Sequence, residues 1–176
     1  MANLVGKLLL VLIVALMSTT NTANKPRVTN LQFYMQDILA GPNATAVQVA
    51  KRLSNYTGTD PIAALFGNVF VFDNVLTATP DPKSPVVGRT QGVVVWSSFE
   101  EYNLLTIGTY VFTSGPFNGS TFSVEGRNPY MEKVREAPIV GGTGLFRLAR
   151  GYALMGTYSR TQTSQVIEYN VTIVHN

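Results

Sequence analysis

A chain of 176 residues with 45% hydrophobic content is one domain's worth of sequence, with enough apolar material for a core. Charged residues make up only 13%, against roughly 25% in an average soluble domain, so Ser, Thr, Asn and Gly must cover much of the surface. The net charge of +3 is scattered without a basic stripe, which argues against a nucleic-acid partner, and the absence of cysteine removes thiol catalysis, zinc–thiolate sites and disulfides.

The first segment, MANLVGKLLLVLIVALMSTTNTANK, has an early lysine, an apolar run from Leu8 to Met17 and then small polar residues. That is the layout of a secretory signal peptide, expected to span 1–23 and leave a single domain over 24–176. The run is short of the roughly 20 apolar residues of a membrane helix, and no later stretch is a candidate to span a bilayer. The expectation is a secreted protein with no membrane partner. Four N-x-Ser/Thr sequons, at Asn43, Asn55, Asn118 and Asn170, agree with that route as candidate glycosylation sites.

The remainder reads as β-strands. Leu31, Phe33, Met35, Asp37 and Leu39 share one side of the first, with Gln32, Tyr34 and Gln36 opposite. Asp37 therefore sits in an apolar register, where a lone carboxylate is costly unless hydrogen-bonded or paired. It is either a strand-end residue bonded to loop amides or a polar group inside a ligand cavity. A long excursion from Gly41 to Leu65 follows. Further strands are expected at 66–72, 87–97, 104–113, 121–126, 134–140, 145–158 and 166–174, separated by Gly-, Pro- and Asn-rich turns. In the last of these, Ile167, Tyr169, Val171 and Ile173 share the core face and Asn170 points outward. Eight strands with short turns predict an all-β fold, either an antiparallel sandwich or a closed up-and-down barrel.

The GGTG at 141–144 has the look of a phosphate loop but lacks its requirements. The third glycine of a dinucleotide fingerprint is missing, no Gly-Lys-Ser/Thr occurs, and no helix follows to point its N-terminus at a phosphate. It reads instead as a hairpin connection, where glycine supplies positive φ. On its leading arm, Arg135 alternates with Ala137 and Ile139 and is expected to point inward, where it and Asp37 could form a buried pair. On the trailing arm, Phe146, Leu148, Arg150 and Tyr152 are expected to share the inner face. The one histidine, His175, stands next to the last residue, which makes a Ser-His-Asp triad or a histidine metal site improbable.

Four segments together, FYMQDILAGPNATAV (33–47), FGNVFVFDNVLT (66–77), SPVVGRTQG (84–92) and GRNPYMEKVREAPIVGGTGLFRLARGYA (126–153), resemble the plant dirigent proteins. The resemblance runs from about Leu31 to the last strand. It implies an eight-stranded antiparallel up-and-down barrel of lipocalin-like shape, a homo-oligomer (dimer or trimer) and an apoplastic location. It also implies phenolic small molecules or their radicals as ligands, a separate laccase or peroxidase as radical source, and no cofactor. The leading implied function is stereoselective coupling of phenoxy radicals, as of coniferyl alcohol to lignans. The alternatives are a dehydratase that cyclises isoflavanols to pterocarpans through a quinone methide, and a barrel that only binds phenolics in defence. Asp37 and Arg135 match the family's aspartate and arginine and are the candidate catalytic residues. Asn128, with the aromatics Phe33, Phe146 and Tyr152, forms the candidate substrate-binding set. Two departures stand out: Gln36 precedes Asp37 where many members have histidine, and GRNP replaces the Gly-Ala-Asp-Pro of lignan-forming members. Asn128 can hydrogen-bond there but cannot act as an acid or base near neutral pH.

Overall fold

The computed structural model describes residues 25–52 and 56–176. The expected signal peptide and the sequon asparagine Asn55 lie outside the described residues. The strands are β1 (Arg27–Ile38), β2 (Ala46–Ala50), β3 (Val69–Thr77), β4 (Val86–Trp96), β5 (Asn103–Phe112), β6 (Thr121–Pro129), β7 (Arg135–Thr143), β8 (Arg150–Arg160) and β9 (Ser164–His175). All pairings are antiparallel, in the order β1-β9-β8-β7-β6-β5-β4-β3, and β1 then closes on β3. The fold is a closed eight-stranded barrel.

The ninth strand lies inside the excursion after β1, where no strand was expected. β1 pairs only with the far end of β3, through Tyr34–Gln36 and Val75–Thr77, and β2 takes over the near end from Phe72 to Val69. The excursion thus lets β1 peel away at the seam while β2 keeps the exposed β3 edge paired. β3 itself runs to Thr77 rather than stopping at Phe72. Asp73 and Asn74 interrupt its apolar run, yet both fit the pleat: Asp73 faces outward against Arg89 at 2.8 Å, and Asn74 is buried inside.

Side chains alternate between water and the barrel interior, as the period of two in a strand requires. Phe33, Leu76, Tyr110, Phe112, Phe122, Val124, Ile139, Phe146, Val171 and Ile173 fill one end. Phe33 stacks on Tyr169 at 5.2 Å and Tyr110 on Phe122 at 4.6 Å, spacings at which aromatic pairs attract beyond their area burial. Phe112, Phe117, Phe146 and the edge of His175 close that end. The other end stays open.

GGTG is a hairpin connection, but the register after it differs from the expectation. A short 3-10 turn over Gly144–Phe146 carries Phe146 into the core, and Leu148 adopts φ 62°. Together these break the alternation, because a 3-10 turn advances by threes. Ala149, Ala153 and Met155 are consequently inside, Leu148 is 70% exposed and Tyr152 41% exposed. Arg150 is on the surface too, donating to the carbonyls of Val140 and Ala149. Gly151 makes the closest approach of this segment. Its φ is +139°, and a Cβ there would meet the Thr172 carbonyl oxygen at 2.0 Å, with backbone on the other side and no side chain to yield. Gly151→Ala is expected to cost about 2 kcal/mol in denaturant unfolding through overpacking of the β8–β9 ladder.

Candidate active site

The open end of the barrel is a cavity whose wall is mostly apolar, with Phe72, Val94, Trp96, Leu104, Met155 and Ile167 among its residues. Its polar groups come from seven strands and converge. β1 brings Asp37, the last inward position before the strand leaves the wall. Its carboxyl is 7% exposed; Oδ2 accepts a hydrogen bond from Gln165 Nε2 at 2.7 Å, and Oδ1 has no protein partner. Burial raises the Asp37 pKa above the ordinary carboxylate value, with the Gln165 and Asn74 amides working in the opposite direction. The result is a carboxyl in the cavity wall that keeps its proton more readily than a surface aspartate and has one oxygen buried without a partner.

Arg135 enters from the start of β7 and is only 3% exposed. It donates from Nη1 to Asn128 Oδ1 at 3.3 Å and from Nη2 to Thr157 Oγ1 at 3.1 Å, while Nε is unpartnered. Asn128 in turn donates to Thr106 Oγ1 at 3.2 Å. Burial lowers the Arg135 pKa, yet a guanidinium starts so far above neutrality that it remains charged. Tyr130 donates to Gln165 Oε1 at 3.0 Å, so Gln165 links it to Asp37. At the cavity floor Tyr169 accepts from Tyr110 at 2.8 Å, and burial holds the Tyr169 hydroxyl at a pKa of about 12.

Asp37 and Arg135 share the cavity but are not a buried ion pair. β8 and β9 stand between β1 and β7, so at ~4.8 Å per strand the two backbones are well over 10 Å apart along the wall. The ion pairs among the described residues are Arg89–Asp73 and Arg127–Glu101, both exposed. Neutral amides hold the inner charges instead, Gln165 for the carboxylate and Asn128 for the guanidinium.

The binding residues expected from sequence divide three ways. Asn128 lines the cavity. Phe33 lies in the packed core behind Tyr169, and Phe146 plugs the closed end. Tyr152 is on the outer wall, in a shallow groove with Gln32 and Asn170, because of the register change after the hairpin. Asn43, Asn118 and Asn170 are all exposed. Gln165, Tyr130, Thr157 and Arg160 were not anticipated. Gln165 was in reach: one more step back along the Ile167–Tyr169 face arrives at it. Among the described residues no group of three or more His, Asp or Glu side chains is placed to hold a metal ion.

Comparison with known proteins agrees with this architecture. Residues 28–174 match the family described as dirigent-like protein. Dirigent protein 23 of Arabidopsis thaliana is 48% identical over 153 residues, covering 86% of this chain and 80% of that protein. Pterocarpan synthase 1 of Glycine max is 43% identical over 150 residues, covering 84% of this chain and 78% of that one. A solved structure of a pterocarpan synthase dirigent protein superposes with a TM-score of 0.78 at 39% identity, covering 88% of each chain. The chain belongs to the dirigent family.

Proposed function

We propose that the barrel binds a phenolic alcohol and directs its dehydrative ring closure through a quinone methide. One observation carries this reading: a buried carboxyl of raised pKa, with one oxygen unpartnered, is the acidic group in the wall of a mostly apolar cavity. A carboxyl that holds its proton more readily than a surface aspartate suits general acid–base work. In its protonated form Asp37 gives its proton to the leaving hydroxyl; the C–O bond breaks and water departs. The conjugated phenol releases its proton to solvent as the quinone methide forms. A second phenolic oxygen then attacks the electrophilic carbon and returns its proton to Asp37, while the quinone methide oxygen regains one from solvent. One water is lost overall and nothing is oxidised. Arg135, charged and with Nε unpartnered, would stabilise the negative charge that gathers on the phenolic oxygen. Similarity to pterocarpan synthases supports this reading over the coupling reaction.

Stereoselective radical coupling is the second reading. It is favoured by the flat surfaces of Trp96, Tyr130 and Tyr169, which could hold planar rings in a fixed mutual orientation. A laccase or peroxidase would then generate the radicals, and the protein would act outside the cell. Two incubations followed by chiral chromatography separate the readings. Ring closure of an isoflavanol without oxidant supports dehydration. Enantiomeric excess from coniferyl alcohol with laccase, and no isoflavanol turnover, would replace it with coupling.

A further inference from the structure

The β8 strand carries a bulge at the cavity mouth. Its register against β9 is regular from Arg150 to Thr157, which faces Ile167, and then shifts so that Ser159 faces Val166 and Arg160 faces Gln165. Tyr158 is the extra residue, turned outward with its ring edge-on to Tyr34. An unbroken alternation would put Arg160 on the same outer side as Tyr158. The bulge reverses the parity, and Arg160 instead lines the cavity beside Gln165.

The Arg160 guanidinium carbon lies over the Tyr130 ring, 5.0 Å from the centroid, and that of Arg135 approaches the same ring at 5.9 Å. Two cations therefore flank one tyrosine. Neither takes part in an ion pair among the described residues, and Arg135 keeps a buried, unpartnered Nε. Among the described residues Asp37 is the one carboxylate lining the cavity, and it is bonded to Gln165 rather than to either arginine. The cavity wall thus carries, among the described residues, two cations against one carboxyl, a surplus of positive charge. The N–H groups of Arg160 donate to no side chain or carbonyl among the described residues, and a guanidinium edge matches a carboxylate in two parallel bonds.

We infer that, among phenolics that fit this cavity, one with a carboxylate at its mouth-facing end is preferred, and that Arg160 makes the selection. This rests on the proposed binding of a phenolic and adds the charge of that ligand. Ferulate and coniferyl alcohol test it directly, because they share a ring and differ only in a terminal carboxylate against a terminal alcohol. Calorimetric titration of the whole protein is expected to give ferulate a Kd about fivefold lower than coniferyl alcohol at low salt, a preference that shrinks as salt screens the exposed end. Arg160→Gln should bring the ratio to about one, and Arg160→Lys should keep part of it. Arg160 is exposed, so matching thermal unfolding of the variants will show that they are folded. Equal affinities in the unmodified protein, or a ratio that survives Arg160→Gln, would overturn the inference while leaving phenolic binding intact. Failure of both ligands to bind while an isoflavanol is still turned over would overturn this inference alone; failure of all three would overturn the phenolic reading with it.

Discussion

Replacing Asp37 by asparagine is expected to lower ring-closing turnover at least about 100-fold, the low end of what a positioned acid–base group contributes. Asparagine preserves the shape and can still accept from Gln165 through its side-chain oxygen, so the loss isolates the proton. Two pH effects accompany it. Because the reaction begins from the protonated carboxyl, kcat/KM should fall as pH rises through the raised Asp37 pKa, and the residual activity of the variant should lack that limb. Stability moves in a related way. A carboxyl whose pKa is higher folded than unfolded binds its proton more tightly in the native state. Stability is therefore lost as pH rises from the unfolded value of about 4 through the folded one, and is level above it. Asp37→Asn is spared that loss, so its Tm should exceed that of the unmodified protein at neutral pH, and the gap should close on acidification. A variant that is less stable at neutral pH and nearly as active would give Asp37 a structural role.

The largest stability loss is expected at Phe33. Its ring meets Tyr110, Phe112, Phe122 and Tyr169 at centroid distances of 5.2–6.4 Å, deep in a barrel without disulfides. Phe33→Ala removes the centre of this cluster and should cost about 3–5 kcal/mol by urea unfolding. Phe33→Leu should cost about 1.5 kcal/mol and keep ligand binding, since Phe33 supports Tyr169 from behind rather than lining the cavity. A Phe33→Leu protein of nearly full stability that binds no phenolic would make Phe33 a direct contact after all.

Much of the barrel is legible in the sequence because its strands have one wet face and one dry one. The period of two placed Asp37, Asn170 and the Ile167–Ile173 face on the sides the structure gives them. It also brought Arg135 inward from Ala137 and Ile139. Alternation stops marking the inner face wherever the backbone leaves a regular pleat. The 3-10 turn at Gly144–Phe146 and the positive φ of Leu148 reversed the faces of β8, which sent Tyr152 to the outer wall. The bulge near Tyr158 reversed them again and brought Arg160 in. Neither event has a dedicated residue signal, since Leu148 is not glycine and the bulge falls in a run of ordinary strand residues. β2 was hidden for another reason: it is short and almost wholly exposed, so no buried face marks it. The separation of Asp37 from Arg135 depends on strand order around the closed wall, which alternation within a strand does not encode.

The most direct test is the crystal structure of the protein with an isoflavan phenol that lacks the leaving hydroxyl and so cannot react. The rings of the ligand are expected in the open end of the barrel, near Trp96 and Tyr169, with a ligand oxygen within hydrogen-bond reach of Asp37 Oδ1, about 2.5–3.2 Å. A ligand seated in the outer groove at Tyr152 with the barrel empty, or a ligand in the barrel that leaves Asp37 Oδ1 without a partner, would contradict it.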